Sequence, residues 1–340
     1  MKDSAVLLID CPDRKGLVAR VAGLLYEWGA NILHADQHQD HDLGLFFMRV
    51  EWALDGPAGG AATPEANPML APASERGVSA TPDASPMLAP ASERFAATTP
   101  AGVQMQAQTS RREGFDLEGF RAAFTPLAAE LGMRWQLTSG TWRPRVALFC
   151  SQYLHCMADL LHRWRSGELV CEIPIIVSNH RDVEKLAAFY GIPFAYVEVT
   201  PGRSAEAAAR QLELLESKGV ELVVLARYMQ ILAPAFVARY PAAIINVHHS
   251  FLPAFTGARP YHAAHARGVK LIGATSHYVT DLLDDGPIIE QDVARISHRD
   301  QVEDLVARGR DLERIVLSRA VRWHLDRRIL CYGNKTVVFD

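Results

Sequence analysis

Between residues 144 and 340, short apolar segments alternate with segments of helical periodicity, and this alternation restricts the possible folds more than any other feature. The apolar segments expected to be strands are residues 145–150, 171–177, 194–199, 222–226 and 243–247. The helical segments between them include residues 155–165, 183–190 and 205–217. This order predicts an α/β domain with a mostly parallel sheet and right-handed crossovers. Ligands of such sheets bind beyond the carboxyl ends of the strands.

The first part of the chain, residues 1–140, predicts a smaller domain of a different kind. Its expected strands are residues 5–10, 31–39, 45–52 and 133–138, and its expected helices are residues 17–28 and 116–131. The helices carry apolar residues at three- and four-residue spacing, which gives each of them one apolar face. The predicted order is therefore βαββαβ, with an interruption before the second helix.

That interruption, residues 56–113, is rich in Ala, Pro, Gly, Ser and Thr and contains a direct repeat. The segment 63–76 recurs almost unchanged at 81–94. A segment of this composition buries too little apolar surface to offset the entropy of ordering it. We expect a mobile insertion between two elements of the first domain. A docking motif presented twice is the alternative.

The composition of the 340 residues is that of an ordinary globular protein, with 49% hydrophobic and 22% charged residues and a formal net charge of −4. The slight negative charge disfavours a surface for nucleic acid, which would be basic. The sequence contains no uncharged apolar run of about 18 residues, so a membrane-spanning helix is not expected. The beginning of the chain does not resemble a signal peptide. The five cysteines are scattered, unlike a secreted disulfide framework. These features favour a cytoplasmic protein that acts on a small molecule.

The residues best suited to chemistry follow the last of the predicted parallel strands. Asn246 and His248 alternate along a strand and therefore lie on the same face, next to its carboxyl end. Downstream, His277 lies in another predicted strand, and the loop after it carries Asp284. An amide N–H and an imidazole can stabilise negative charge on a carbonyl oxygen, and a nearby carboxylate can move a proton. A packed histidine pair beside an Asp- and Gly-rich turn is the structural alternative.

Two blocks of sequence carry a more specific resemblance. The pattern Asn246-x-His248-x-Ser250-x-Leu252-Pro253, with His277 and Asp284 after it, resembles the fold of 10-formyltetrahydrofolate-dependent formyltransferases over residues 144–340. Residues 13–17 and 29–32 resemble the loop and strand of an ACT domain, which implies a ferredoxin-like first domain before a Rossmann-like second one. This fusion resembles the formyltetrahydrofolate deformylase family. The resemblance implies hydrolysis of a linear amide C–N bond to give formate and tetrahydrofolate, supplying formate for purine biosynthesis and balancing the one-carbon pool.

The resemblance also implies roles for particular positions. It implies that Asn246, His248 and Asp284 are catalytic, whereas His277 either supports Asp284 or is a packed strand residue. The positions that it places against the folate are Met229, Gln230, Ile231, Leu232, Val279 and Asp281. In the ACT domain, which commonly pairs with a second copy, Asp13, Gly16 and Asn31 are expected to bind an amino-acid effector, glycine or methionine. The expected protein is a homo-oligomer without a metal or a cofactor, since the formylated folate is its substrate.

The segment after the first parallel strand, residues 149–156, bears on the choice of acceptor. Formyltransferases of this family whose acceptor is a phosphorylated amine have a Gly-rich loop at this position. The main-chain N–H groups of that loop bind the phosphate. This chain has no glycine in the segment, and Tyr153 is bulky. Water is therefore the expected nucleophile, although a formyltransferase to another amine remains the alternative. A third hypothesis is an amino-acid-sensing ACT protein whose second domain is a binding scaffold.

Three smaller points complete the expectations from sequence. Cys156 is either a nucleophile or a buried structural thiol, and the second interpretation is favoured because a free cysteine usually packs inside the protein. His34, Asp36 and His38 share one face of a strand, but a strand with this pattern more often lacks a metal. Arg227 and Arg259 flank the motif blocks and are candidates for a cationic rim that meets the glutamyl tail of a folate.

Overall fold

The computed structural model describes residues 4–54, 115–253 and 260–340. The repeat-containing insertion 56–113 and the expected role of Arg259 therefore lie outside the described residues. No helix in the described part of the chain combines the length and apolar character that a membrane crossing requires.

The first domain has the predicted βαββαβ order. Its elements are β1 (Ser4–Pro12), α1 (Leu17–Glu27), β2 (Asn31–Asp40), β3 (Leu45–Ala53), α2 (Leu117–Leu131) and β4 (Arg134–Ser139). The strands form an antiparallel sheet in the order β2-β3-β1-β4, the ferredoxin-like arrangement that was expected. One face of the sheet packs on both helices, with Trp52, Phe120 and Phe124 fully buried between them.

The second domain begins directly after β4. Its elements are β5 (Arg145–Cys150), α3 (His155–Arg165), β6 (Glu172–Ser178), α4 (Glu184–Tyr190), β7 (Phe194–Tyr196), α5 (Ser204–Ser217), β8 (Leu222–Leu225), α6 (Pro234–Arg239), β9 (Ile244–His248), α7 (Pro260–Arg267), β10 (Leu271–Tyr278), β11 (Ile288–Arg295) and α8 (Val302–Leu325). A hairpin of β12 (Ile329–Tyr332) and β13 (Lys335–Val338) ends the chain.

The large sheet has the order β11-β10-β9-β8-β5-β6-β7. The strands from β9 to β7 are parallel, and β10 and β11 add to the edge in antiparallel pairing, which confirms a mostly parallel sheet. β7 is shorter than the predicted 194–199 because its partner β6 ends at Ser178, opposite Tyr196. The chain moves outward from β5 through β6 to β7 and then returns to β8 on the other side of β5. This reversal opens a crevice at the carboxyl ends of β5 and β8, where ligands of such sheets bind.

The two domains meet through the C-terminal hairpin, which the sequence did not predict. Apolar residues of β1 and β3 pack against it on the sheet face opposite the helices, and the cluster consists of Val6, Leu8, Phe47, Leu330, Tyr332, Val337 and Phe339. The carboxylate of Asp40 accepts a hydrogen bond of 3.2 Å from Tyr332 and pairs with Lys335 at 3.5 Å. Asp36 accepts a hydrogen bond from the main chain of Asp340. The acidic residues of β2 thus bind the hairpin.

Candidate active site

The residues predicted to be catalytic meet at the carboxyl end of β9. Asn246 and His248 lie on this strand, and the register of β9 with β10 places His277 directly opposite Asn246. Asp284 reaches the same point from the loop after β10, where its φ of 55° is in the left-handed region. A residue with a Cβ occupies that region only where its surroundings hold it there, a condition frequent at functional sites.

The four side chains form one connected group. Nδ1 of His248 lies 3.2 Å from Oδ2 of Asp284, and Nε2 of His277 lies 3.8 Å from Oδ1 of the same carboxylate. The amide Nδ2 of Asn246 lies 3.2 Å from Nε2 of His277. Nδ1 of His277 lies 3.0 Å from the carbonyl oxygen of Tyr278 and donates to it, so Nε2 is the nitrogen that accepts from Asn246. His277 therefore orients the amide of Asn246 and contacts Asp284, beyond merely packing in its strand.

Burial and hydrogen bonding set the charges of this group. The hydrogen bond from His248 lowers the pKa of Asp284 and outweighs the opposing effect of its partial burial. Burial lowers the pKa of His277, which keeps that imidazole neutral. Nε2 of His248 is buried, and no group in the described residues hydrogen-bonds to it. The site thus brings together three groups: the carboxylate of Asp284, the imidazole of His248 with one nitrogen free of hydrogen bonds in the described residues, and the neutral amide of Asn246.

These residues line part of a cavity of about 600 Å³. The cavity is lined by the group just described and by every position expected to contact folate, namely Met229, Gln230, Ile231, Leu232, Val279 and Asp281. The apolar side chains of Met229, Ile231, Leu282 and Leu283 are exposed at this surface. A concave site with apolar walls and a few convergent polar groups suits a flat heteroaromatic ligand.

A second buried network adjoins the cavity at the crevice between β5 and β8. Glu313, on α8, is 1% exposed. One of its carboxylate oxygens accepts a 2.7 Å hydrogen bond from Tyr261, and the other lies 2.7 Å from Nε2 of His155 and 3.4 Å from Nε of Arg227. Cys156 adjoins this network, and burial raises the pKa of its thiol well above the usual value. This protonated, enclosed thiol suits the structural interpretation of Cys156 rather than a nucleophile.

Sequence reasoning missed the central residue of this network. Glu313 belongs to α8, a helix with many exposed acidic and basic residues. However, it adjoins the apolar stripe of Leu305, Leu312 and Val316, which is buried. An acidic residue beside such a stripe requires a buried partner, and that signal could have identified it.

The structure corrects the expected position of Arg227. As a contact for the glutamyl tail of a folate it would have to lie at an exposed rim, but its side chain is only 9% exposed and pairs with Glu313. The buried carboxylate of Glu313 gives this guanidinium the counter-ion that a buried cation requires.

The structure separates the residues expected to bind an effector. Gly16 precedes α1 with a φ of 90°, and the carboxylate of Asp13 accepts a hydrogen bond from Gln39 near the end of β2. Asn31 begins the same strand, next to Ala53 at the opposite end of the sheet. Nine residues of strand span roughly 30 Å, so the three residues do not form one pocket within a chain.

The fold and the site together define a class of protein: an ACT domain joined to a folate-type formyltransferase domain with an Asn–His–Asp group. Comparisons with known proteins agree with this class. A family model described as formyl transferase matches residues 144–321, and the ACT domain model matches residues 5–51. Formyltetrahydrofolate deformylase of Synechocystis is 45% identical over 99% of this chain and 98% of its own length.

Solved structures show the same relationship. A formyltetrahydrofolate deformylase from Pseudomonas syringae is 42% identical, with a TM-score of 0.81 over 100% of this chain and 95% of that one. Glycinamide ribonucleotide transformylase 1 from Symbiobacterium toebii is 29% identical, with a TM-score of 0.57, and covers 60% of this chain and 98% of its own. The chain belongs to the formyltetrahydrofolate deformylase family.

Proposed function

We propose that this protein is a cytoplasmic hydrolase that converts 10-formyltetrahydrofolate and water to formate and tetrahydrofolate. The observation that carries the proposal is the Asn246–His248–Asp284 group in the lining of the largely apolar cavity. The formylated nitrogen of the folate is an amide, whose carbonyl carbon reacts slowly with water unless the developing oxyanion is stabilised.

The geometry supports a division of roles among the three residues. The ionised Asp284 acts together with His248 as the base. The pair removes one proton from the attacking water as the water oxygen bonds to the formyl carbon. The second N–H of the Asn246 amide donates to the carbonyl oxygen as it becomes an oxyanion. The C–N bond then breaks as N10 receives a proton, and the formyl carbon leaves as formate, with one proton released to solvent.

The loop after β5 carries large side chains at the position where transferases to a phosphorylated amine have a Gly-rich loop, and this supports water as the nucleophile. The ring of Tyr153 lies under the guanidinium of Arg227 at 5.4 Å and near that of Arg310 at 5.6 Å. His155, at the start of α3, is tied to Glu313. The loop after β5 therefore presents side chains where an anion-binding loop would present main-chain N–H groups.

The experiment that tests the proposal measures formate release from 10-formyltetrahydrofolate with no amine present. We expect one formate and one tetrahydrofolate for each substrate consumed, and loss of this turnover in Asp284→Asn. Turnover that appears only after an amine is added would contradict hydrolysis and support the formyltransferase alternative. Tight folate binding without either reaction would support the scaffold hypothesis.

In the cell, the proposed reaction returns a one-carbon unit as formate, which can supply purine biosynthesis and balance the pool of folate derivatives. A reaction that discards an activated formyl group needs restraint, and the ACT domain is where we place it. We propose a homo-oligomer in which glycine or methionine binds between two ACT domains.

The exposed edge of the first sheet supports this regulatory proposal. β2 is the outermost strand of that sheet, and Ile32 and Leu33 on it are exposed. Antiparallel pairing of β2 with the β2 of a second copy would bring Asn31 of one subunit to the end of the strand at which Asp13 and Gly16 of the other lie. Residues separated within one chain would then meet between two chains.

The regulatory proposal is tested by titrating glycine and methionine against formate release, in the parent protein and in Asn31→Ala. A coupling of about 1–3 kcal/mol between the sites, which is typical of allosteric effects, changes the apparent affinity roughly 5- to 150-fold. Sedimentation of the same samples measures their oligomeric state. A flat response to both amino acids, or a monomer at assay concentration, would contradict the regulatory proposal and leave the hydrolase assignment intact.

A further inference from the structure

Arg227 is a buried cation for which the reaction described above has no role. Its φ of 64° is in the left-handed region, which is unfavourable for a residue with a Cβ. The main chain holds it there from both sides, since its N–H donates to Leu225 and its carbonyl oxygen accepts from the N–H of Ser151, each at 3.1 Å. The fold therefore fixes this guanidinium in the crevice between β5 and β8 despite the conformational cost.

The hydrogen-bonding capacity of this guanidinium is not used up by its counter-ion. Glu313 lies 3.4 Å from Nε, but its two oxygens already accept short hydrogen bonds from Tyr261 and His155. Nε and Nη1 of Arg227 are buried, and neither has a hydrogen-bond partner among the described residues. Buried N–H donors of a charged group are costly to leave unpaired, so a ligand that accepts from them is stabilised.

Arg227 shares its cavity with the catalytic group. It lines the same cavity as His248, whose Nε2 is also buried without a partner in the described part of the chain. His249 lies beside His248, with ring centroids 5.0 Å apart. Burial, assisted by the charge of Arg227, lowers the pKa of His249 to about 4, so this neighbour stays neutral. Arg227, a cation, and His248 thus line one cavity, and each has buried nitrogen atoms without a hydrogen-bond partner in the described residues.

We infer that Arg227 and Nε2 of His248 form a subsite for a small carboxylate, and that its ligand is the formate released by the reaction. The inference rests on the proposed function and adds to it a position for the second product. A planar guanidinium with free N–H groups matches a carboxylate, which accepts two hydrogen bonds from it. Because Nδ1 of His248 donates to Asp284, Nε2 carries a proton only in the imidazolium form, which exists after the imidazole has taken up a proton.

The test is product inhibition by sodium formate, with sodium chloride as the ionic-strength control. We expect Arg227→Met to raise the inhibition constant of formate about 10- to 100-fold, the loss expected for a hydrogen bond to a charged group. Inhibition by tetrahydrofolate should be unchanged, since that product occupies the apolar part of the cavity. Arg310→Met is the matched control, because Arg310 contacts the same Tyr153 ring but is exposed and does not line the cavity.

A second variant covers the case in which Arg227→Met does not fold because Glu313 loses its partner. The double variant Arg227→Met/Glu313→Gln removes both charges and should show the same loss of formate inhibition. Unchanged formate inhibition in the folded variants, or an equal loss in Arg310→Met, would overturn the inference.

Direct binding separates this inference from the proposed function. Broadening of the ¹³C-formate resonance by the parent protein, and its absence in Arg227→Met, is measured with no folate present. If the parent released no formate from the substrate, the proposed function would fail, whereas the binding result would still decide whether the carboxylate subsite exists.

Discussion

Asn246→Ala is expected to lower kcat about 10²- to 10³-fold, the usual loss when one oxyanion donor is removed. The structure supports a figure of this size because Asn246 brings one free donor to the reacting carbonyl. Its other N–H is used by His277 at 3.2 Å, which fixes the direction of the amide. The loss corresponds to about 2.7–4 kcal/mol of transition-state stabilisation. KM should change little, because the carbonyl oxygen carries much less charge in the bound substrate than in the transition state.

The assay is formate release at saturating and at limiting 10-formyltetrahydrofolate, which gives kcat and KM separately. Asn334→Ala is a suitable control, since exposed Asn334 donates to the main chain of Asp285 and lies outside the cavity lining. Its kcat should stay close to that of the parent. An Asn246→Ala protein with the parent kcat would refute the assigned role, and a raised KM with unchanged kcat would make Asn246 a substrate-binding residue instead.

Two further predictions concern stability. In Gly309→Ala the new Cβ would lie 2.0 Å from the hydroxyl oxygen of Tyr261, so urea unfolding should show a loss of about 1–3 kcal/mol. Gly23→Ala, in a helix with nothing within 4 Å of the new Cβ, should be neutral or stabilising, and equal behaviour of the two would contradict the packing argument. Burial lowers the pKa of His324 to about 3, so between about pH 6.5 and pH 3 the unfolded chain binds a proton that the folded protein does not. The free energy of unfolding should therefore decrease as the pH is lowered through this window, and at pH 4.5 the loss from this group should be about 2–3 kcal/mol. His324→Gln should remove this contribution to the pH dependence of stability. His162→Gln, exposed in the last turn of α3, should leave the slope unchanged, and a slope unaffected by His324→Gln would refute the assignment.

The order of elements along the chain and the position of Asn246 and His248 on one strand face were predictable because local rules determine them. Alternation with period two places Asn246 and His248 on one face, and the carboxyl edge of a parallel sheet collects the residues that follow its strands. Asp284 could be assigned through the resemblance, since its loop follows a recognisable strand. The contact of His277 with both Asn246 and Asp284 required the antiparallel register of β9 and β10, which the sequence does not specify.

The parts that sequence reasoning missed depend on partners distant in the chain. Arginine is a residue type usually found at an exposed rim. The buried position of Arg227 involves an ion pair with Glu313, which lies on a helix near the other end of the domain in sequence. The docking of the C-terminal hairpin depends on one face of the first sheet, whose apolar residues Val6, Leu8 and Phe47 alternate with those facing the helices. The separation of Asn31 from Asp13 follows from the antiparallel course of the sheet, and no local pattern shows it.

In the proposed mechanism, proton movement depends on one pair of residues, His248 and Asp284. Burial holds His277 and His249 neutral, by lowering the pKa of each. Neither can serve as a cation at neutral pH, and Nδ1 of His277 is already bound to a main-chain carbonyl oxygen. The hydrogen bond from His248 lowers the pKa of Asp284 and keeps that carboxylate ionised. In the proposed mechanism the neutral imidazoles position the amide and enclose the site, whereas His248 and Asp284 exchange the proton, so one carboxylate and one imidazole serve both halves of the hydrolysis.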